Sequence, residues 1–128
     1  MIALDTNIII YALDSESELC SHSRKIIGRL EDGKESAVSS VLVLTEIMRK
    51  SRPGLLDAVK SIPNLEYRQT DENIAILAAD LSNKYPKLKA YDEIHLATAI
   101  ISGANKFYTN DLDILRSEIK EITVQGLK

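Results

Sequence analysis

MIALDTNIII, residues 1–10, is the stretch on which the fold turns. Ile2, Ala3 and Leu4 form an apolar run with no polar alternation, the pattern of a short strand buried on both faces and therefore covered by a layer on each side. Asp5, Thr6 and Asn7 end that run with the residue types that start helices, so the strand is expected to feed directly into one.

Outward from there the chain repeats this logic. Ser15 and Glu18 form a capping-box pattern, after which Leu19, Ile26, Ile27 and Leu30 recur at helical spacing until Asp32-Gly33. SAVSS (36–40) reads as a second strand, and VLVLTEIMRK (41–50) as a nearly apolar helix stopped before Pro53. A short helix over 54–60 and a third strand, LEYR (65–68), follow. Thr70 and Asp71 open a helix whose Ile74, Leu77, Ala78 and Leu81 share one face. Beyond the basic turn NKYPKLK (83–89), YDEIHLATAIISG (91–103) is a helix with acids in its first turn and Gly103 at its C-cap. KFYTND (106–111) gives a fourth strand and EITVQ (121–125) a fifth. Strands alternating with long helices imply parallel crossovers. The expectation is a three-layer α/β/α sandwich around a mainly parallel sheet of four to five strands, one domain over residues 1–128.

Composition narrows the function classes. The 128 residues carry 16 Lys+Arg against 19 Asp+Glu, a net charge of −3, so nucleic-acid binding would have to rest on local basic patches. The single Cys20 excludes an internal disulfide and a multi-cysteine zinc site. The longest apolar runs are far too short to span a membrane, and the start of the chain has no basic leader. A cytoplasmic protein is expected. No Gly-rich phosphate loop is present, which removes nucleotide hydrolysis of the P-loop kind.

The acids carry the functional signal. Parallel sheets place ligand sites beyond the carboxyl ends of their strands. Asp5 ends the first strand and Asp111 follows the fourth, so both belong at that edge. Asp92 lies in the first turn of a helix facing it. Glu46 is a lone carboxylate in an apolar helix, out of place unless it faces a polar site. Four converging carboxylates repel one another, and a hard divalent cation relieves the conflict. Oxygen ligands suit magnesium or manganese, one or two ions, and such ions support hydrolysis of a phosphodiester. Each acid also has a local reading. Asp5 and Asn7 can cap a helix, Glu46 can pair with Lys50, Asp92 and Glu93 complement a helix dipole, and Asp111 suits a turn. One shared site accounts for all four together.

IALDTNIII, the Glu46 inside LVLTEIMRK, the YDEIHLATAI helix and the FYTNDLDI ending resemble the PIN domain, specifically its VapC-type toxins, from residue 2 to about residue 115. The resemblance implies a parallel-sheet α/β/α sandwich whose acids bind magnesium or manganese and cut single-stranded RNA. It assigns Asp5, Glu46, Asp92 and Asp111 to the catalytic and metal-binding site. Thr109 matches a hydroxyl residue beside the last acid and Asn7 the polar residue after the first, both expected to orient ligands or water. Asp113 is a fifth acid, assisting through water or capping the next helix. The family often has Phe where this chain has Ile114. A homodimer and an antitoxin tail across the acidic site are also implied by resemblance. The other readings are a PIN-type RNA-processing nuclease without an antitoxin and an inactive binding module.

Basic residues flank the acids: Arg49, Lys50 and Arg52 follow Glu46, while Lys84, Lys87 and Lys89 precede Asp92. They are candidates for contact with an RNA backbone. Phe107 is expected in the core, and Tyr11 and Tyr91 in packing. His95 lies three residues after Asp92 on one helix face, close enough for a proton shuttle or a metal neighbour, but a packing or surface position is the expectation, since an oxygen-rich site needs no imidazole.

Overall fold

The computed structural model describes residues 1–50 and 52–127; Ser51 and Lys128, both inside the expected 1–128 span, lie outside the described residues. In chain order the elements are β1 (Ile2–Leu4), α1 (Thr6–Leu13), α2 (Cys20–Glu31), β2 (Ala37–Ser40), α3 (Val43–Met48), α4 (Leu55–Lys60), β3 (Leu65–Arg68), α5 (Glu72–Lys84), α6 (Ala90–Ile101), β4 (Lys106–Tyr108), α7 (Leu112–Leu115) and β5 (Thr123–Gln125). The strands form one sheet in the order β3-β2-β1-β4-β5, and every neighbouring pair is parallel.

Strand alternation divides the core into two layers. Ile2, Leu4 and Ala37 face a cluster with Ile8, Ile9, Leu30, Ile47 and Val59 from α1 to α4. Ala3, Val38 and Phe107 face the opposite cluster, with Ile74, Ala78, Leu81, Leu96 and Ile114 from α5, α6 and α7. The expected sandwich, helices on both faces of a parallel sheet, is therefore present. Burying Phe107 contributes about 2–3 kcal/mol relative to leaving it exposed. The apolar stripe of α5 is consumed inside this second cluster: Ile74, Ala78 and Leu81 are buried, and Leu77 packs beside them.

Local chemistry corrects several boundaries. Ser15 and Glu18 do not cap α2, which begins at Cys20 after Leu19, a residue with no side-chain cap bond. Ser17 Oγ instead accepts the Leu19 N–H at 3.2 Å, a turn that competes with helix initiation. Similarly, Ser40 Oγ accepts the Leu42 N–H at 3.1 Å, so α3 starts at Val43 rather than 41. Strand β4 ends at Tyr108 because Asp111 turns the chain into α7, its Oδ1 accepting the Asp113 N–H at 2.8 Å. Gly103, at φ 78°, closes α6: its N–H bonds Ile100 O and the Ala104 N–H bonds Ala99 O, both at 3.0 Å. That left-handed closure returns the chain into β4 and suits glycine, which has no Cβ to clash.

Candidate active site at the switch point of the sheet

From β1 the chain moves to β2 on one side of the sheet, whereas β4 and β5 lie on the other. The order of connection thus reverses between β1 and β4, and open parallel sheets bind ligands in the crevice outside such a point. The residues leaving those two strands converge here. The Asp5 N–H bonds Tyr108 O at 2.9 Å, and Thr109 Oγ1 donates to Asp5 Oδ2 at 2.6 Å. Asp5 Oδ1 accepts the Thr6 N–H at 2.8 Å, which makes Asp5 the N-cap of α1 while it lines the crevice. One side chain thus both caps α1 and faces the crevice.

A cavity of about 370 Å³ opens at this point, lined by Asp5, Thr6, Asn7, Ile10, Glu46, Arg49, Lys50, Asp92 and Asp111. All four acids singled out in the sequence are on its wall. Each is fixed by a hydrogen bond from its own surroundings. Asp92 Oδ2 reaches back to the Lys89 N–H at 3.1 Å, and Asp111 Oδ1 caps α7. Glu46 Oε1 accepts from Thr6 Oγ1 at 2.6 Å and lies 2.6 Å from His95 Nε2. Asp92 Oδ1, Asp111 Oδ2 and Glu46 Oε2 make no hydrogen bond among the described residues.

Burial and mutual repulsion act on these groups. Asp92 is pushed up to about 6, first by burial and then by the charges of Asp111 and Asp5, against the opposing Lys89 N–H bond. Burial likewise raises Asp5, more than His95 and the bonds from Thr109 and Thr6 lower it. Burial also raises Glu46, but the bonds from His95 and Thr6 and the charges of His95 and Arg49 outweigh it, so its pKa is lowered. The cluster therefore holds unrelieved negative charge, with oxygen as its donor type, which fits a hard divalent cation that keeps several waters. Among the described residues, no three His, Cys, Asp or Glu side chains already stand together as a ligand set. Like-charged carboxylates spread apart, and waters of hydration would bridge the remaining reach.

The other candidates are distributed unevenly. Asn7 Oδ1 accepts the Asn110 N–H at 3.2 Å, tying α1 to the segment after β4. Asp113 lies outside the cavity wall, with Oδ2 3.9 Å from Lys89 Nζ. Of the six basic residues only Arg49 and Lys50 line the cavity. Arg52 borders a separate hollow with Leu13 and Pro53, and Lys84 and Lys87 line a groove with Arg116 and Lys120. Phe107 is in the core as expected, and Tyr91 packs under the Arg49 guanidinium at 5.6 Å.

Two residues outrun the sequence reading. Thr6 bonds Glu46 across forty positions, and His95, 2% exposed, is packed as expected but packed against the acids. The available signal was the three-residue step from Asp92 to His95 on a helix whose N-terminus faces the crevice.

Comparisons with known proteins bear on the fold and the family. No curated protein matches the chain. Among solved structures it is similar to VapBC2 from Rickettsia felis bound to a DNA fragment from their promoter, at TM-score 0.71 and 18% identity, covering 98% of each chain. A toxin–antitoxin complex from Klebsiella pneumoniae matches at TM-score 0.71 and 22% identity, covering 96% of this chain and 99% of that one. FitAcB from Neisseria gonorrhoeae matches at TM-score 0.66 and 16% identity, covering 99% and 98%. At these identities the likeness is one of fold. The family model of the PIN domain matches residues 2–120, and with nearly the whole chain inside that match the protein belongs to the PIN-domain family.

Proposed function

We propose that this chain is a magnesium- or manganese-dependent endoribonuclease, the toxin of a VapBC-type pair, acting in the cytoplasm as a single PIN unit. The observation that carries this reading is the convergence of Asp5, Glu46, Asp92 and Asp111 on one cavity that also holds Arg49 and Lys50. The PIN-domain match supports nuclease chemistry, and the toxin–antitoxin complexes among its structural relatives support an antitoxin partner. A homodimer is part of the same proposal.

Asp5, Asp92 and Asp111, with Glu46 completing the set, are the residues that would hold one or two cations. Such a cation, when bound, lowers the pKa of an attacking water and offsets the charge of the phosphate. The protein's own groups do the rest. Thr109 and the Thr6 N–H hold Asp5, the Lys89 N–H holds Asp92, and the α7 turn holds Asp111, so the donor oxygens are set before substrate arrives. Arg49 and Lys50 offer counter-charge to the phosphodiester on the same wall. Water attacks phosphorus in line, the bond to the 3′-oxygen breaks, and the products carry a 5′-phosphate and a 3′-hydroxyl.

The test is cleavage of single-stranded and structured RNAs with magnesium, manganese or chelator, comparing wild type with Asp5→Asn. Asparagine keeps the α1 cap, so the variant is expected to fold. Its cleavage should fall on the order of a hundredfold or more, the scale for removing one charge-stabilising group at a reacting centre. Equal activity in the two proteins, or activity that survives chelation, would overturn the reading. A 2′-deoxy substitution at the cut should leave cleavage intact.

A further inference from the structure

His95 is the one strongly placed polar side chain at this site that the acidic mechanism leaves without a task. It is 2% exposed, on the inward face of α6, one turn beyond Asp92. Its Nε2 lies 2.6 Å from Glu46 Oε1, 3.5 Å from Thr6 Oγ1 and 4.0 Å from Asp5 Oδ1. Its Nδ1 is buried with no hydrogen-bond partner among the described residues. A hydrogen on Nδ1 would be a buried donor without an acceptor, whereas a hydrogen on Nε2 has a carboxylate at short range. The two nitrogens are therefore inequivalent, and the geometry places a hydrogen on Nε2.

That choice has a consequence for Glu46. The carboxylate stands on the short helix α3, with its side chain 30% exposed, and its carbon chain has the freedom to leave the cavity. Two donors converge on the same oxygen, Thr6 Oγ1 from α1 and His95 Nε2 from α6. With Oε1 held from both layers of the sandwich, Oε2 remains without a described partner on a side chain that lines the cavity. Tyr91, one turn before His95, packs at 6.3 Å between ring centroids and carries Arg49 on its face, so the imidazole is restrained from that side as well.

We propose that His95 is a positioning residue: through an Nε2–H bond to Oε1 it locks the Glu46 carboxylate so that Oε2 is presented to the cation or its hydration water. This rests on the proposed metal-dependent function and deepens it. It also makes Glu46 unlike the other acids, which are held by backbone N–H groups or a neighbouring threonine, because its orientation depends on a residue from another layer.

Two His95 variants, a Glu46→Gln background and one spectroscopic measurement decide the matter. Nitrogen-15 NMR of the imidazole in the wild-type protein should find a proton on Nε2. His95→Phe keeps a ring in the buried space and removes the donor; its Mn2+ affinity, measured without RNA, should fall on the order of tenfold, as for other residues that orient ligands from behind. His95→Gln, whose amide can donate from nearly the same point, should recover most of that loss. In a Glu46→Gln background His95→Phe should weaken Mn2+ no further. An Nε2 without a proton, a His95→Phe protein that binds Mn2+ as wild type does, or a full additional loss in the Glu46→Gln background would each overturn the proposal. Absence of any Mn2+ binding by wild type would instead sink the metal-dependent function, and the Nε2 proton would still decide the His95–Glu46 bond.

Discussion

Asp92 is a residue held at a cost. In the unfolded chain an aspartate releases its proton near 3.8, whereas in the fold Asp92 releases it at about 6. Between those values the native state binds more protons than the unfolded state, so the contribution of Asp92 to stability declines as pH rises through that window and stays low above it. Asp92→Asn removes the buried charge and keeps an oxygen for the Lys89 N–H. It is expected to stabilise the metal-free protein at pH 7 by about 1–3 kcal/mol and to make little difference at pH 4, while abolishing cleavage. Denaturant melts at the two pH values check the sign; a variant less stable than wild type at pH 7 contradicts it. The basic residues give a second prediction at this scale. Lys50 is on the cavity wall and Arg52 is not. Lys50→Ala should reduce the steepness of log RNA affinity against log salt by about one unit, and Arg52→Ala should leave it unchanged. Both lie in the same short basic run of sequence, so only the crevice geometry distinguishes them.

Helix termini rather than helix interiors carry the site. Asp5 caps α1, Asp92 turns back on the start of α6, and Asp111 caps α7, so three of the four acids are fixed where a helix leaves orphan N–H groups. Their local and functional readings are rivals in the sequence, yet a helix start at the strand edge leaves room for both. Asp71 shows what a cap does without a site attached: its Oδ1 accepts the Ile74 N–H at 2.9 Å at the head of α5, away from the cavity. Asp71→Ala should cost about 1 kcal/mol, seen as a melting-point drop of about 4 °C, with cleavage unchanged below the melt. The exposed pair with Arg68 at 3.6 Å adds little to that loss. A large effect on activity at 25 °C would place α5 in the catalytic apparatus and contradict the separation drawn here.

At the scale of the molecule, the sheet gathers charge that folding alone leaves uncompensated. A cation that binds the folded state and not the unfolded chain should therefore stabilise the whole fold, by about 2.7 kcal/mol at a hundredfold excess over its dissociation constant. Thermal melts with Mn2+ should rise accordingly, fall back on chelation, and show no rise in an Asp5→Asn, Asp111→Asn double variant. An equal rise in that variant would put the binding elsewhere. No helix among the described residues is long and apolar enough to cross a membrane, as the short apolar runs implied. The sequence by itself determined the local events: the doubly buried β1, the alternation of strands and helices, the Asp71 cap and the Gly103 closure, because each depends on neighbours a few residues away. It also marked the four acids, since carboxylates at strand ends and in an apolar helix are conspicuous without coordinates. Only the tertiary structure decided which basic residues share their cavity, and that Thr6 and His95 hold Glu46. Those contacts join residues 40 and 49 positions apart, the first between two helices of one layer and the second across the sandwich, and no periodicity along the chain encodes such distances.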